Sequence, residues 1–332
     1  MGFASGKAIR YAAPRMRRWP LVLCALGAAG CPGTARNLVE PEVDGEAPPP
    51  DAPLEVEKAA VAVRVVNWNT LNFFNDETDS PGLSAPEDVV TSAEYQAKLS
   101  AVSSVLASLH ADVVVLEEVE NQHVTDDIAA QLDGYTDTAT TEGNDPRGID
   151  IAVLSKLPIT RIVSHVDDYF SPSTNPAETY VYARDCMQIE LDVNGRRLIL
   201  LGVHFKSAED DASKLKRVAE AEHTRAILTQ LALDDPDAAI VVLGDFNADA
   251  SEKSVQALVG KPPTELTSVA GFVPEDERWS YRFDGALRLI DDQFMNGAAA
   301  ALLDAKSPQI LHGADVDAAS DHAPVSATYL VR

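Results

Sequence analysis

Two short polar segments late in the chain carry the residue types of a phosphate-cleaving site. Gly244-Asp245-Phe246-Asn247 follows the apolar run Ile240-Val241-Val242-Leu243 and supplies a carboxylate and an amide two residues apart. On extended backbone that spacing puts both on one side. Ala319-Ser320-Asp321-His322 sets a carboxylate beside an imidazole just before a final apolar run. Three more polar groups stand where strand-like runs stop: Asn69 in Asn67-Trp68-Asn69-Thr70, Glu117-Glu118 after Val113-Val114-Val115, and His204 after Leu198–Val203. Neighbouring carboxylates on a strand point to opposite faces, so one of Glu117 and Glu118 is expected to face a metal and the other solvent.

Each group has an ordinary explanation by itself. An Asn at a strand end commonly forms a turn, and a His there is more often a satisfied core residue than a catalyst. Their joint logic is chemical. Phosphodiester cleavage needs a hard cation on the phosphate, a deprotonated water, and donors for the charge developing on oxygen. Asn69, Glu118 and Asp321 offer oxygen ligands of the kind Mg²⁺ prefers. No Cys/His cluster at zinc spacing occurs. A His whose second ring nitrogen rests on a carboxylate is the usual general-base arrangement.

The elements that must position these groups alternate along the chain. Strands are predicted at Val61–Val66, Val113–Leu116, Ile151–Leu154, Met187–Leu191, Leu198–Val203, Ile240–Leu243, Leu289–Met295 and Val325–Tyr329. Asn194-Gly195 is a strong hairpin turn signal between two of them. Helices are predicted at Ser92–Leu109, Asn121–Leu132 and Ser213–Leu233, with Thr91 and Glu94 as a capping box for the first. Hairpins mixed with crossover helices indicate an α+β domain of mixed sheets.

The N-terminus reads as an address. Lys7, Arg10, Arg15, Arg17 and Arg18 precede the apolar run Trp19–Ala29, which is too short for a bilayer span of about 20 residues but suits a signal peptide. Leu26-Gly27-Ala28-Ala29-Gly30-Cys31 resembles a bacterial lipobox, with Ala28 where Leu is usual. The expected organisation is a lipoprotein-type signal peptide at 1–30, a Pro-rich acidic tether at 31–60 and one domain at 61–332. Export and a lipid anchor on Cys31 follow as expectations, with plain secretion as the alternative. The remaining Cys186 stands alone, so it is expected to be a buried small hydrophobe and no disulfide framework is foreseen. The formal net charge of -25 favours a soluble monomer and repels polyanions at long range. Lys206, Lys214, Lys216 and Arg217 are a candidate basic patch near His204 that would offset this locally.

The ordered segments Trp68-Asn69, Leu116-Glu117-Glu118, His204-Phe205-Lys206-Ser207, Gly244-Asp245-Phe246-Asn247 and Ser320-Asp321-His322 together resemble the endonuclease/exonuclease/phosphatase superfamily. Arg147-Gly148-Ile149-Asp150 and Ser280-Tyr281-Arg282-Phe283 look like segments of its exported members. The resemblance implies a four-layered α/β sandwich, two packed mixed sheets flanked by helices. It implies Glu118 as the main metal ligand, with Asn69 and Asp321 completing the metal set and Mg²⁺, Mn²⁺ or Ca²⁺ as the ion. His204 would donate to a phosphate oxygen, Asp245 and Asn247 would orient water and phosphate, and His322 would act as base or phosphate contact. The carboxylate behind His322 would come from Asp291-Asp292. Reading without a gap from Tyr281 favours Asp291, but Gln293 then falls where an apolar residue is usual, and a one-residue slip selects Asp292.

The function expected is a metal-dependent phosphodiester hydrolase, foremost a nuclease acting on nucleic acid. A phospholipid or small phosphate ester is the alternative substrate. A catalytically silent surface module is the third reading.

Overall fold

The computed structural model describes residues 59–79 and 88–332. The expected signal peptide and nearly all of the expected tether lie outside the described residues. In chain order the strands and helices are β1 (Val61–Phe73), α1 (Ser92–Leu109), β2 (Val113–Val119), α2 (Gln122–Ala130), β3 (Asp137–Thr141), β4 (Asp150–Ser155), β5 (Ile159–Val163), β6 (Cys186–Val193) and β7 (Arg196–His204). There follow α3 (Asp211–Asp234), β8 (Ala239–Asp245), α4 (Lys253–Val259), β9 (Thr267–Ser268), β10 (Tyr281–Phe283), β11 (Ala286–Arg288), β12 (Asp291–Met295), α5 (Gly297–Ala300), β13 (Gln309–Ile310), α6 (Ala314–Ala319) and β14 (Val325–Val331).

Two six-stranded sheets form, in the orders β13-β14-β1-β2-β4-β3 and β5-β6-β7-β8-β12-β9. Each holds one parallel pair, β1–β2 and β7–β8, and is otherwise antiparallel. The crossovers are α1 and α3, as a parallel pair requires. α1 forms where expected because the capping box closes its first turn: Glu94 N–H donates to Thr91 Oγ1 and Thr91 N–H to Glu94 Oε2. Tyr95, Leu99, Val102, Leu106 and Leu109 are its buried stripe. α3 and α4 cover the second sheet through Phe205, Phe246, Phe294, Leu228, Val255 and Leu258. The result is the expected four-layered sandwich.

One consequence of this topology decides where chemistry sits. The parallel strands β1, β2, β7 and β8 all end at one edge of the sandwich, and the antiparallel β12 and β14 begin there, with Asp291 opposite Asp245 and Val325 opposite Asn67. Polar strand ends from both sheets therefore gather in one place.

Between the sheets the packing is tight. A Cβ on Gly202 would sit 3.0 Å from Val115 Cγ1 across the seam, and one on Gly244 would sit 3.0 Å from Glu117 Oε1 across it and 2.0 Å from the Val203 carbonyl oxygen of the neighbouring strand. Gln293, out of pattern in sequence, is fully buried in this seam. Its Nε2 donates to the Val65 and Val325 carbonyls at 3.2 Å each, and its Oε1 accepts from Tyr329 O–H at 2.9 Å. It ties one sheet to the other through hydrogen bonds, which explains a polar residue in an apolar place.

Candidate active site

The eight predicted site residues come together at the shared strand ends. Asp245 ends β8 and is buried. Its Oδ1 accepts from Asn247 N–H at 2.7 Å, and its Oδ2 accepts from the side-chain amides of Asn69 (3.1 Å) and Asn247 (3.2 Å). Asn247 reaches this position through a left-handed turn with φ 49°, which Asn tolerates better than most residues. Its amide also donates to the Phe205 carbonyl. Asn69 has its own Oδ1 engaged by Leu71 N–H at 3.0 Å, so it serves here as a strut to Asp245.

The choice between Asp291 and Asp292 is resolved by geometry. Asp291 Oδ2 lies 2.8 Å from His322 Nδ1 and also accepts from Ser280 Oγ at 2.7 Å. Asp292 points the other way and caps the backbone at Ala270 N–H and the hydroxyl of Ser268. His322 is further fixed because Trp68 Nε1 donates to its carbonyl at 2.9 Å. Ser280 and Trp68 escaped sequence reasoning as functional groups, although both lie in segments that carried the resemblance.

Glu117 and Glu118 depart from expectation. The pairing of β2 with β4 shifts register between Glu117 and Val119, and Glu118 takes φ 63°. This is a bulge with a strained non-glycine residue, a feature common at functional edges. Glu118 is left at the mouth, its Oε2 accepting from Asn72 N–H and its Oε1 3.8 Å from His204 Nε2. Glu117 does not face solvent. It is fully buried between the sheets, beside Gly244, and neither carboxylate oxygen has a partner among the described residues. Burial, then Asp291, Asp245 and Glu118, hold its carboxyl well above the usual range, so it is a neutral acid.

Electrostatics divide the remaining groups. Burial and then Asp291 push the Asp245 carboxyl up to about 7. Burial opposes charge on His322, but Asp291, Asp245 and Asp321 together push its imidazolium up to about 10. His204 goes the other way. Burial, then Arg184, His322, Arg147 and Lys206, hold it well below 6.5, so its ring is neutral. Its Nε2 lies 3.4 Å from Asp245 Oδ2. Lys98 of α1 also reaches this edge, donating to the carbonyls of Leu71 and Ala319. Nothing in the sequence marked it, since it sits on an ordinary amphipathic helix.

Asp321 Oδ1 is buried without a hydrogen-bond partner, and its carboxyl is raised by burial and by Glu118 among its neighbours. One ligand atom each of Asp245, Asp291 and His322 lies within 4.8 Å of the others. Orphaned, mutually repelling carboxylate oxygens with no thiol among them fit a hard divalent cation. The expected basic patch assembles only in part: Lys206 and Lys216 lie near enough to repel each other, with Lys206 beside His204. Arg217 is buried, donating to the Lys206 and Ala208 carbonyls and to Glu252, while Lys214 pairs with Glu209. Arg147 instead stands at the rim, held by Asp145 and donating to Asn72 Oδ1. Cys186 is buried, as foreseen.

Comparison with known proteins agrees with this picture. No curated protein matches the chain significantly. Among solved structures, an endonuclease/exonuclease/phosphatase from Bacteroides vulgatus is 14% identical with a TM-score of 0.57, covering 82% of this chain and 100% of its own. The catalytic domain of human Nocturnin is 15% identical with a TM-score of 0.56, covering 81% and 94%. Truncated TDP2 of Caenorhabditis elegans is 16% identical with a TM-score of 0.53, covering 81% and 98%. Residues 66–301 match the family described as Endonuclease/Exonuclease/phosphatase family, a span from β1 through α5. The chain belongs to that family, and so to the divalent-metal-dependent phosphoric ester hydrolases.

Proposed function

We propose that the protein is an exported, lipid-anchored nuclease that uses Mg²⁺. The observation carrying the reading is the pair His322–Asp291 set against a raised Asp245 at the edge where Glu118 and Asp321 meet. Glu118 and Asp321 would hold the cation, with Asn69 in support. When bound, the cation supplies charge neutralisation on the phosphate.

The protein's own groups do the rest. Asp245, raised towards neutrality, is placed to take a proton from an attacking water, with Asn247 fixing its orientation. His204 is neutral and donates a hydrogen bond to phosphate oxygen as charge builds there. His322, held cationic by Asp291, contacts the phosphate from the other side. Glu117 stays protonated and keeps a fifth negative charge out of the cluster.

The acidity of the whole chain favours a second reading, in which the ester is a phospholipid or small phosphate. Both are tested by incubating the purified protein with Mg²⁺ or Mn²⁺, with and without chelator. The panel is plasmid DNA, RNA, phosphocholine vesicles and a nitrophenyl phosphate. Chelator-sensitive loss of DNA or RNA is expected. Intact nucleic acid alongside released phosphocholine or phosphate sinks the nuclease reading. Cys31→Ser should move the protein out of the membrane fraction, and an unchanged partition rules out the anchor.

A further inference from the structure

A two-stranded ribbon, β10–β11, projects beside His322 and belongs to neither large sheet. It pairs Tyr281 with Arg288, Arg282 with Leu287 and Phe283 with Ala286. Alternation along β10 puts Tyr281 and Phe283 on one face and Arg282 on the other. Cross-strand partners share a face, so Leu287 goes with Arg282. The ribbon is rooted at the site. Tyr281 bridges to His322, Arg282 N–H donates to the Asp321 carbonyl, and the Ser280 hydroxyl holds Asp291.

The aromatic rings form a line leading out from the imidazole. The Tyr281 ring centroid lies 4.7 Å from that of His322. Phe283 follows at 6.3 Å from Tyr281, with ring planes only 7° apart. Phe283, the outermost member of this line, is 67% exposed. On the opposite face Arg282 lies 4.6 Å over the Trp279 ring, which itself stacks on His312 at 3.8 Å.

We propose that Phe283, with Tyr281 behind it, is a stacking platform for an unpaired nucleobase next to the scissile phosphate. This rests on the nuclease reading and names what that site selects: single-stranded or frayed nucleic acid. An exposed aromatic face backed by a second, parallel ring is an element that holds single strands without reading sequence. A lipid surface fits the ribbon poorly. Its two large exposed apolar side chains, Phe283 and Leu287, lie on opposite faces, and its tip is Asp284-Gly285. A bilayer would meet both apolar groups only if they shared a side. The acidic tip would oppose insertion. The flat ring, and not its apolar area, is therefore the relevant property.

The test is steady-state cleavage of an oligo-dT strand and of an equally long strand of abasic units with the same phosphates, in Mg²⁺. Wild type is compared with Phe283→Ala, Phe283→Leu and Phe283→Trp. Phe283→Ala and Phe283→Leu are expected to raise KM on oligo-dT by about tenfold, the scale of one stacked base. Both should leave cleavage of the abasic strand unchanged, and Phe283→Trp should keep KM on oligo-dT near wild type. Equal effects on both strands, no effect on either, or full rescue by leucine overturns the platform while leaving the nuclease reading intact. Loss of phosphocholine-vesicle binding in Phe283→Ala without a change in KM on oligo-dT overturns it in favour of a membrane role. If wild type cleaves neither strand the platform falls, and the nuclease reading falls with it only if plasmid DNA and RNA also stay intact.

Discussion

Asp291 and Asp292 are adjacent, both buried, and opposite in consequence. Asp291 orients His322, whereas Asp292 holds the turn at Ser268 and Ala270. Asp291→Asn is expected to lower kcat by roughly 10²–10⁴, the range of positioned acid–base groups, with little change in KM. Asp292→Ala should instead lower the melting temperature and spare kcat. Steady-state kinetics beside thermal melts checks both, and a reversed pattern would exchange the roles. The pair also fixes a pH dependence in the metal-free protein. The folded His322 value, about 10, lies above the ordinary 6.5. The pair's contribution is therefore complete below about 6.5 and is lost as pH rises through about 10. The melting-temperature gap between wild type and Asp291→Asn, both metal-free, should shrink across that window, and a constant gap contradicts it. At this scale the residues that gather at the shared strand ends were readable from the chain alone. The orientation of Glu117 was not. Strict alternation assigned one of the two glutamates to solvent, and a bulge at Glu118 carried Glu117 into the seam.

Elements were legible where one physical signal dominated. α1 has its predicted bounds because cap and periodicity agree, and Asn194-Gly195 turns β6 into β7 with φ 59° and 86°. β1 runs on to Phe73, beyond the predicted Val66, because its polar Asn67–Thr70 stretch is buried and paired to β2. β3, β5, β9, β13, α4, α5, α6 and the β10–β11 ribbon were missed. They are short, or expose most of one face, so their apolar pattern is weak. Strand β8 gives the sharpest test of an element. Gly244 has φ 133° and lies against the Val203 carbonyl. Gly244→Ala must move β7 from β8, and a loss on the order of 3 kcal/mol or more is expected. Denaturant melts measure it. A near-neutral result would mean that the β7–β8 pair tolerates separation.

For the whole molecule, the sandwich was legible as a class but its seam was not. Gln293 looked like a misplaced residue, since no local pattern announces that its amide reaches β1 and β14. Gln293→Leu leaves the Tyr329 hydroxyl buried and unpartnered, for an expected loss of about 1–3 kcal/mol in a urea melt. An unchanged midpoint would show that the seam does not depend on this tie. Among the described residues no helix is long and apolar enough to cross a membrane.

The site is shared between two bodies. Asn69, Glu118, Asp321 and His322 come from the β1 sheet, while His204, Asp245, Asn247 and Asp291 come from the β8 sheet. Among the described residues, the ties Asn69–Asp245 and Asp291–His322, with the longer approach of His204 to Glu118, cross between them within the site. The separation of the sheets is thus a hidden coordinate of the reaction, and the active site works as a gauge of it. A wedge placed far from the chemistry, such as a side chain at Gly202 against Val115, would register there as a misaligned phosphate site before it registered as an unfolded protein.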